Sequence, residues 1–344
     1  MKKLLVRGAS GSSQLLVGES IDNLSRYIKP HRTIIITDKT VQGLYQDRFP
    51  DCPVIAMGLG EKIKTLETVI DLYGRLIELE TDRSAFILAV GGGIVCDVAG
   101  FVASTYMRGI PFGFVSTTLL SQVDASVGGK NGVNFGGFKN MVGVFNQPEF
   151  VICDLAMLKT LPVREVLCGY AEIIKHGAIA DARMLDFLET HRDAALDLDQ
   201  AIVAFLVYRS VEIKAGVVTR DERERGERRK LNFGHTFGHA IEKLTGIPHG
   251  EAVGIGMVLA AKISVQKGHL QPRDAARLER IIASYGLPVQ PPVEAQVMLK
   301  AVRKDKKRRG ARIHFVFLDE LGRARVEEIS FAELQGLLNA IEMG

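Results

Sequence analysis

Tryptophan is absent from this chain, and cysteine occurs only four times in 344 residues. The thiols of Cys52, Cys96, Cys153 and Cys168 are scattered and form no C-x-x-C pair. That spacing speaks against a disulfide framework or a zinc knuckle. Cys96 and Cys153 stand in apolar surroundings and read as buried, reduced thiols. Long apolar runs are missing too: none reaches the roughly 18 residues that cross a bilayer. The opening Met1-Lys2-Lys3-Leu4-Leu5-Val6-Arg7 begins as a signal peptide would, but Arg7 interrupts it after three apolar residues. A cytoplasmic address with no membrane partner is the expectation. Strong net charge is also lacking, at +4. Basic residues do gather at 220–230 and 300–312, but in the first run Glu222, Glu224 and Glu227 interleave and no aromatic residue does. A nucleic-acid partner is therefore not expected.

What remains is an ordinary globular composition, 47% hydrophobic and 24% charged, long enough for two domains. Short β-rich runs lie at 33–37 (TIIIT), 54–57 (VIAM), 85–90 (AFILAV), 111–115 (PFGFV) and 150–153 (FVIC). Helical patterns separate them, clearest at 61–79, where Ile63, Leu66, Ile70, Tyr73, Leu76 and Ile77 recur at helical spacing. Continuous apolar strands alternating with helices indicate a parallel sheet covered on both faces. From Pro162 the pattern turns helical, at 163–176, 181–195, 199–217, 235–245, 251–267 and 272–284, with one β-like run at 313–318. A last helix opens at Ser330, with Glu333 completing a capping box. The expectation is an α/β N-terminal domain with a mainly parallel, Rossmann-like sheet over 1–158, plus a mostly α-helical C-terminal domain over 159–344.

Three features carry chemistry. After the strand at 85–90 come Gly91, Gly92 and Gly93, leading through Asp97 into a helix. Glycines at such a turn admit a pyrophosphate to the helix N-terminus, although an ordinary tight turn uses them equally. The G-x-G-x-x-G fingerprint is absent. Asp38 follows one strand and Thr117-Thr118 another, at the strand ends where open α/β sheets bind ligands; Glu61 and Lys64 begin the next helix.

The helical half holds Glu172, Lys175 and His176 at i, i+3 and i+4, then His235 and His239 one turn apart, then His249. A histidine pair with a distant glutamate and a third histidine supplies the donors of a catalytic divalent metal, though structural histidines remain an alternative. Thr236 stands where a zinc protease needs Glu, which removes that reading. The third feature is a glycine-rich, polar stretch at 121–140 with Asp124, Ser126, Lys130, Asn134, Lys139 and Asn140. It suits a phosphorylated, hydroxyl-rich substrate, or a plain surface loop. Lys214, Arg228 and the Asp305-Lys306-Lys307 segment are further sources of positive charge.

Longer strings add a resemblance. Residues 91–109, Ser116-Thr-Thr-Leu-Leu, Val123-Asp-Ala-Ser-Val-Gly-Gly-Lys130, Gly169-Tyr-Ala-Glu-Ile-Ile-Lys-His-Gly177, Leu231-Asn-Phe-Gly-His-Thr-Phe-Gly-His-Ala-Ile-Glu242 and His249-Gly-Glu-Ala-Val253 occur in order. Together they resemble the 3-dehydroquinate synthase family of sugar-phosphate cyclases. The resemblance implies metal ligands at Glu172, His235 and His249, holding zinc or cobalt, with His239 beside them as a proton relay. It implies substrate contacts from Asp124, Lys130, Asn140, Lys175, Lys214, Arg228, Asn232 and one lysine of Asp305-Lys306-Lys307. It implies NAD contacts from Asp38, Glu61, Lys64, Gly91, Gly92, Gly93, Asp97, Thr117, Thr118, Lys139, Thr160 and Leu161. Arg108 would reach a neighbouring subunit's substrate, which implies a homodimer. The implied reaction converts 3-deoxy-arabino-heptulosonate 7-phosphate to 3-dehydroquinate and phosphate, with NAD reduced and reoxidised within each turnover. Ser116 and Asn131 depart from the family's usual Pro and Thr.

Other readings stay open. A metal-dependent polyol dehydrogenase shares the glycine turn and histidine site, but does not need Lys130, Lys175, Lys214 and Arg228. A sister cyclase would act on glucose 6-phosphate or sedoheptulose 7-phosphate. A non-catalytic nucleotide- or RNA-associated protein would lack the metal ligands or the glycine turn.

Overall fold

The structure, a computed structural model, describes residues 1–306 and 312–342. The chain divides into two compact units: Met1–Leu161 with Lys214–Glu222, and Pro162–Ile213 with Arg223–Gly344.

The first unit opens with an antiparallel hairpin, β1 (Lys2–Gly8) and β2 (Gly11–Val17). There follow β3 (Thr33–Asp38), α1 (Lys39–Tyr45), β4 (Val54–Met57), α2 (Leu66–Glu78), β5 (Phe86–Gly91), α3 (Gly93–Thr105) and β6 (Phe112–Ser116). A second hairpin, β7 (Lys130–Phe135) and β8 (Phe138–Phe145), precedes β9 (Phe150–Cys153). Seven strands form one sheet in the order β1-β2-β9-β6-β5-β3-β4, parallel at every pairing except β1 with β2. The β-branched run of β3 is buried from Thr33 to Thr37, as a strand covered on both faces requires. Leu16, Ile35, Leu88, Val90, Val115 and Ile152 meet in one core cluster. After β3 the chain moves to the β4 edge, then crosses back to place β5 on the other side of β3. The sheet's topological switch point therefore lies between β3 and β5.

The second unit is built from α4 (Val163–Ala180), α5 (Ala182–Thr190), α6 (Arg192–Leu196) and α7 (Gln200–Arg220), whose last turns from Lys214 belong to the first unit. It continues with α8 (His235–Thr245), α9 (His249–Gln266), α10 (Pro272–Ser284) and α11 (Ala295–Lys306). An antiparallel hairpin, β10 (Arg312–Glu320) with β11 (Arg323–Ser330), and α12 (Phe331–Glu342) complete it. Ser330 Oγ accepts the Glu333 N–H at 3.0 Å, so the expected cap forms. The stretch 181–195 divides into α5 and α6, because His191 adopts non-helical angles between them. Cys96, Cys153 and Cys168 are buried, and burial pushes the Cys168 thiol up to about 11.

Among the described residues no helix is long and apolar enough to cross a membrane. Of the lysines anticipated at Asp305-Lys306-Lys307, Lys306 ends α11, and Lys307 lies outside the described residues.

Candidate active site

At the switch point the first unit presents backbone. Gly92 is the N-cap of α3 and no side chain caps that helix, so its first N–H groups face outward from the sheet's carboxyl edge. A Cβ on Gly92 would stand 3.0 Å from the Thr118 methyl. The Thr117 N–H donates to the Gly91 carbonyl at 3.0 Å, which ties the ends of β5 and β6 together. Asp38 ends the adjacent β3, where its carboxylate caps α1 by accepting from the N–H groups of Thr40 and Val41, each at 2.9 Å. Asp38, the glycines and the two threonines thus occupy the carboxyl ends of three neighbouring strands.

Beside them lies a charged cluster. Lys64, 5% exposed as a residue, reaches Asp97 Oδ2 and Asn140 Oδ1 with its ammonium, both at 2.5 Å. Burial pushes the Asp97 carboxyl up, and the Lys64 charge opposes it. Glu61 accepts from Asn134 Nδ2 at 2.8 Å and pairs with Lys139 at 3.8 Å. Glu61 and Lys64 do not open α2 as anticipated. Glu61 opens a separate 3-10 turn, Glu61–Ile63, and Lys64 is that turn's C-cap, because Thr65 supplies the α2 cap. Lys214 contacts Asp124 twice, at the carboxylate (2.7 Å) and the carbonyl (2.6 Å). Lys130 is exposed at the head of β7. Thr160 shares a 2.5 Å hydrogen bond with the Tyr45 hydroxyl, and Leu161 is the next residue along the chain.

Arg108 is placed differently. It lies exposed beyond the far end of α3, a helix of 13 residues and therefore about 20 Å from the glycine turn along its axis. Met107 and Arg108 hold φ values of 49° and 71°, a left-handed pair that keeps this corner strained.

In the second unit, close helix packing fixes a polar centre. A Cβ on Gly256 of α9 would fall 2.0 Å from the Gly234 carbonyl, and one on Gly250 would fall 2.3 Å from Cys168 Cα in α4. Only glycine lets α9 approach α8 and α4 this closely. Those contacts bring together Glu172 from α4, His235 from the first residue of α8 and His249 from the first residue of α9. Nε2 of His235 and Nε2 of His249 each stand 3.6 Å from Glu172 Oε1. Donors that share one tetrahedral metal at about 2.1 Å must lie about 3.4 Å apart, so this spacing fits a common ion. Donor atoms of the three residues all fall within 4.8 Å of one another. Lys175 contacts the other oxygen of Glu172, leaving Oε1 toward the imidazoles.

The outer ring nitrogens are also engaged. Nδ1 of His235 faces the Phe233 carbonyl at 3.2 Å, and Nδ1 of His249 faces Glu242 Oε2 at 3.2 Å. Burial, reinforced by the Lys175 charge, holds His235 well below its ordinary value, in the neutral form that ligates metals. Burial lowers His249 as well, but Glu172 and Glu242 outweigh it and push it up to about 9. The two carboxylates thus demand positive charge at this point. His239 is exposed and its ring centroid lies 5.1 Å from that of His235 and 5.9 Å from that of His249. Arg228 is buried in a 3-10 turn, Glu227–Asn232, and Asn232 Nδ2 donates to Glu224. His176 is fully buried on α4. Glu242 received no role from the sequence, although its place seven residues after His235 and three after His239 puts it on their helix face.

Two family models match the chain, "3-dehydroquinate synthase N-terminal" over residues 54–168 and "3-dehydroquinate synthase C-terminal" over residues 169–308. The chain belongs to the 3-dehydroquinate synthase family. A 3-dehydroquinate synthase from Halorhodospira halophila is 45% identical over 311 residues, covering 88% of each chain. Among solved structures, 2-epi-5-epi-valiolone synthase from Streptomyces hygroscopicus, with NAD+ and Zn2+ bound, superposes with a TM-score of 0.87. It is 26% identical, over 98% of both chains. A 2-deoxy-scyllo-inosose synthase complexed with carbaglucose-6-phosphate, NAD+ and Co2+ gives a TM-score of 0.85 at 26% identity, over 98% of this chain and 100% of that one. The sheet with its helices, followed by a largely helical region, is therefore the sugar-phosphate cyclase fold.

Proposed function

We propose that this 3-dehydroquinate synthase, an enzyme of the shikimate pathway, converts 3-deoxy-arabino-heptulosonate 7-phosphate to 3-dehydroquinate and phosphate with NAD+ and one divalent ion, Zn2+ or Co2+. The observation that carries the reading is the convergence of two imidazole Nε2 atoms on one glutamate oxygen, each at 3.6 Å. When bound, the ion supplies Lewis-acid polarisation of a substrate hydroxyl and NAD+ supplies reversible hydride storage.

The chain's own residues do the rest. Glu172, His235 and His249 hold the ion, and Lys175 neutralises the glutamate oxygen turned away from it. Gly91, Gly92 and Gly93 let the pyrophosphate approach the α3 N-terminus, while Asp38, Glu61, Lys64, Asp97, Thr117, Thr118, Lys139, Thr160 and Leu161 line the remainder of the nucleotide. Lys130, Lys175, Lys214, Arg228, Asp124, Asn140 and Asn232 bind and orient the anionic, hydroxyl-rich substrate. Arg108, remote from its own glycine turn, serves the substrate of a second copy in a homodimer. His239, exposed beside the ligand imidazoles, moves a proton at the substrate oxygen.

The test is to supply metal-loaded, NAD+-bound protein with the heptulosonate phosphate and follow phosphate release alongside NADH absorbance. Phosphate release with formation of dehydroquinate and no accumulating NADH is the expected result. Accumulating NADH without phosphate would show a dehydrogenase instead. Turnover of glucose 6-phosphate or sedoheptulose 7-phosphate in its place would show a sister cyclase. Undiminished turnover by His239→Ala would remove the proton-relay role.

A further inference from the structure

We propose that Glu242 is a positioning residue of the metal centre, the carboxylate that orients His249 and strengthens it as a ligand. The inference rests on the metal reading of Glu172, His235 and His249, and goes beyond it to a residue that touches none of the reacting atoms. His249 uses both ring nitrogens: Nε2 faces Glu172 Oε1 at 3.6 Å and Nδ1 faces Glu242 Oε2 at 3.2 Å. A proton shared on the Nδ1 side leaves the Nε2 lone pair directed at the ion, and the nearby negative charge makes that lone pair a better donor. The Glu242 side chain is 15% exposed and that of His249 29%, so solvent screens their contact only in part.

The two histidine ligands are oriented by different means. His235 faces the backbone carbonyl of Phe233, which substitution cannot remove. His249 is the first residue of α9, where Pro248 is the N-cap and no side chain caps the helix. Its ring is held from outside its own helix, by Glu242 on α8. α8 therefore contributes one ligand from its first residue and the orienting group of another ligand from its third turn. A glutamate placed only for solubility would not need this register.

The experiment uses the full chain and measures Zn2+ affinity by equilibrium dialysis in a chelator-buffered series, with Co2+ absorption spectra alongside. Glu242→Gln keeps the shape and an acceptor but loses the charge, and should weaken Zn2+ binding about tenfold; Glu242→Ala should approach a hundredfold. The visible bands of the Co2+ protein should shift in both. Unchanged affinity and an unchanged Co2+ spectrum in Glu242→Gln would overturn the assignment while leaving the metal centre standing. Failure of the wild-type chain to take up any ion would overturn the centre and the assignment together. Melting of the metal-free proteins checks folding, and Glu242→Gln decides the matter if Glu242→Ala does not fold.

Discussion

In the first unit the proposed nucleotide site is largely backbone: an uncapped α3 N-terminus behind three glycines, framed by the ends of β3, β5 and β6. In the second unit the proposed metal centre is made of side chains from three helices, locked by glycine contacts at Gly250 and Gly256. A backbone site depends on what is left out, since any side chain larger than hydrogen intrudes. A side-chain site depends on what is put in, and it fails when a single donor is lost. The difference predicts that mutations in the second unit act steeply and locally on metal binding, whereas those in the first act through fit.

The sharpest break in that comparison is Glu172→Gln. Its carboxylate is shared by both imidazoles, so the variant should lose the ion and fall by about a thousandfold or more in turnover. Chelation of the wild-type protein should do the same, with activity restored by Zn2+ or Co2+. A metal content by elemental analysis equal to wild type in Glu172→Gln would contradict it.

Next comes Lys64→Met in the first unit. The substitution leaves Asp97 facing a neutral neighbour where an ammonium stood at 2.5 Å, with the lysine side chain only 7% exposed. Removing one partner of so enclosed a pair should cost about 3 kcal/mol in urea unfolding. NAD+ binding should weaken as well, since Asn140 loses the same partner. A double variant, Lys64→Met with Asp97→Asn, should recover part of the stability, because the unpaired charge is gone.

Gly92→Ala tests fit alone. The new methyl meets Thr118 Cγ2 at 3.0 Å, a contact a small shift can relieve, and Gly92 has φ −75°, which any residue adopts. Melting should therefore change little. The methyl still stands where the proposed site receives the pyrophosphate, so the NAD+ dissociation constant should rise about tenfold, about 1.4 kcal/mol. Titration of intrinsic tyrosine fluorescence or calorimetry reads this directly; unaltered NAD+ affinity would remove Gly92 from the site.

The same contrast explains what was legible in the sequence. The helix bearing Glu172, Lys175 and His176 and the pair His235 and His239 could be read because helical periodicity fixes which side chains share a face. The strands at 54–57 and 150–153 appear at those positions, since continuous apolar runs suit a sheet covered on both sides. The β7–β8 hairpin was read as a glycine-rich polar stretch. Its signal was present in Phe135-Gly136-Gly137-Phe138, whose glycines adopt φ of 58° and 77° and close a two-residue turn. The β1–β2 hairpin was missed because polar and charged residues interrupt both strands. The Lys64–Asp97–Asn140 cluster joins residues distant in sequence, and no periodicity announces such a meeting. Nor could spacing show that Lys214–Glu222 belongs with the first unit, because α7 runs without a break through that boundary.

The smallest effect concerns that returning segment. Glu222, at its end, accepts from the Ser10 N–H, the Ser10 hydroxyl and Gln147 Nε2, all within the first unit. Burial works against its ionisation, but these hydrogen bonds outweigh burial and hold the carboxyl below its ordinary value near 4.5. A carboxylate lowered on folding stabilises the protein at pH values above its unfolded value. That contribution disappears as the pH falls through the lower, folded value. Glu222→Gln should therefore cost about 1 kcal/mol at neutral pH, the scale of hydrogen bonds to a charged acceptor partly replaced by an amide. The gap between variant and wild type should close on acidification below about pH 4.5. Parallel denaturant curves at pH 7 and in that acid range measure it. A gap that stays constant with pH would show that Glu222 acts by shape rather than by charge, and would extend to this segment the rule that governs the glycine turn.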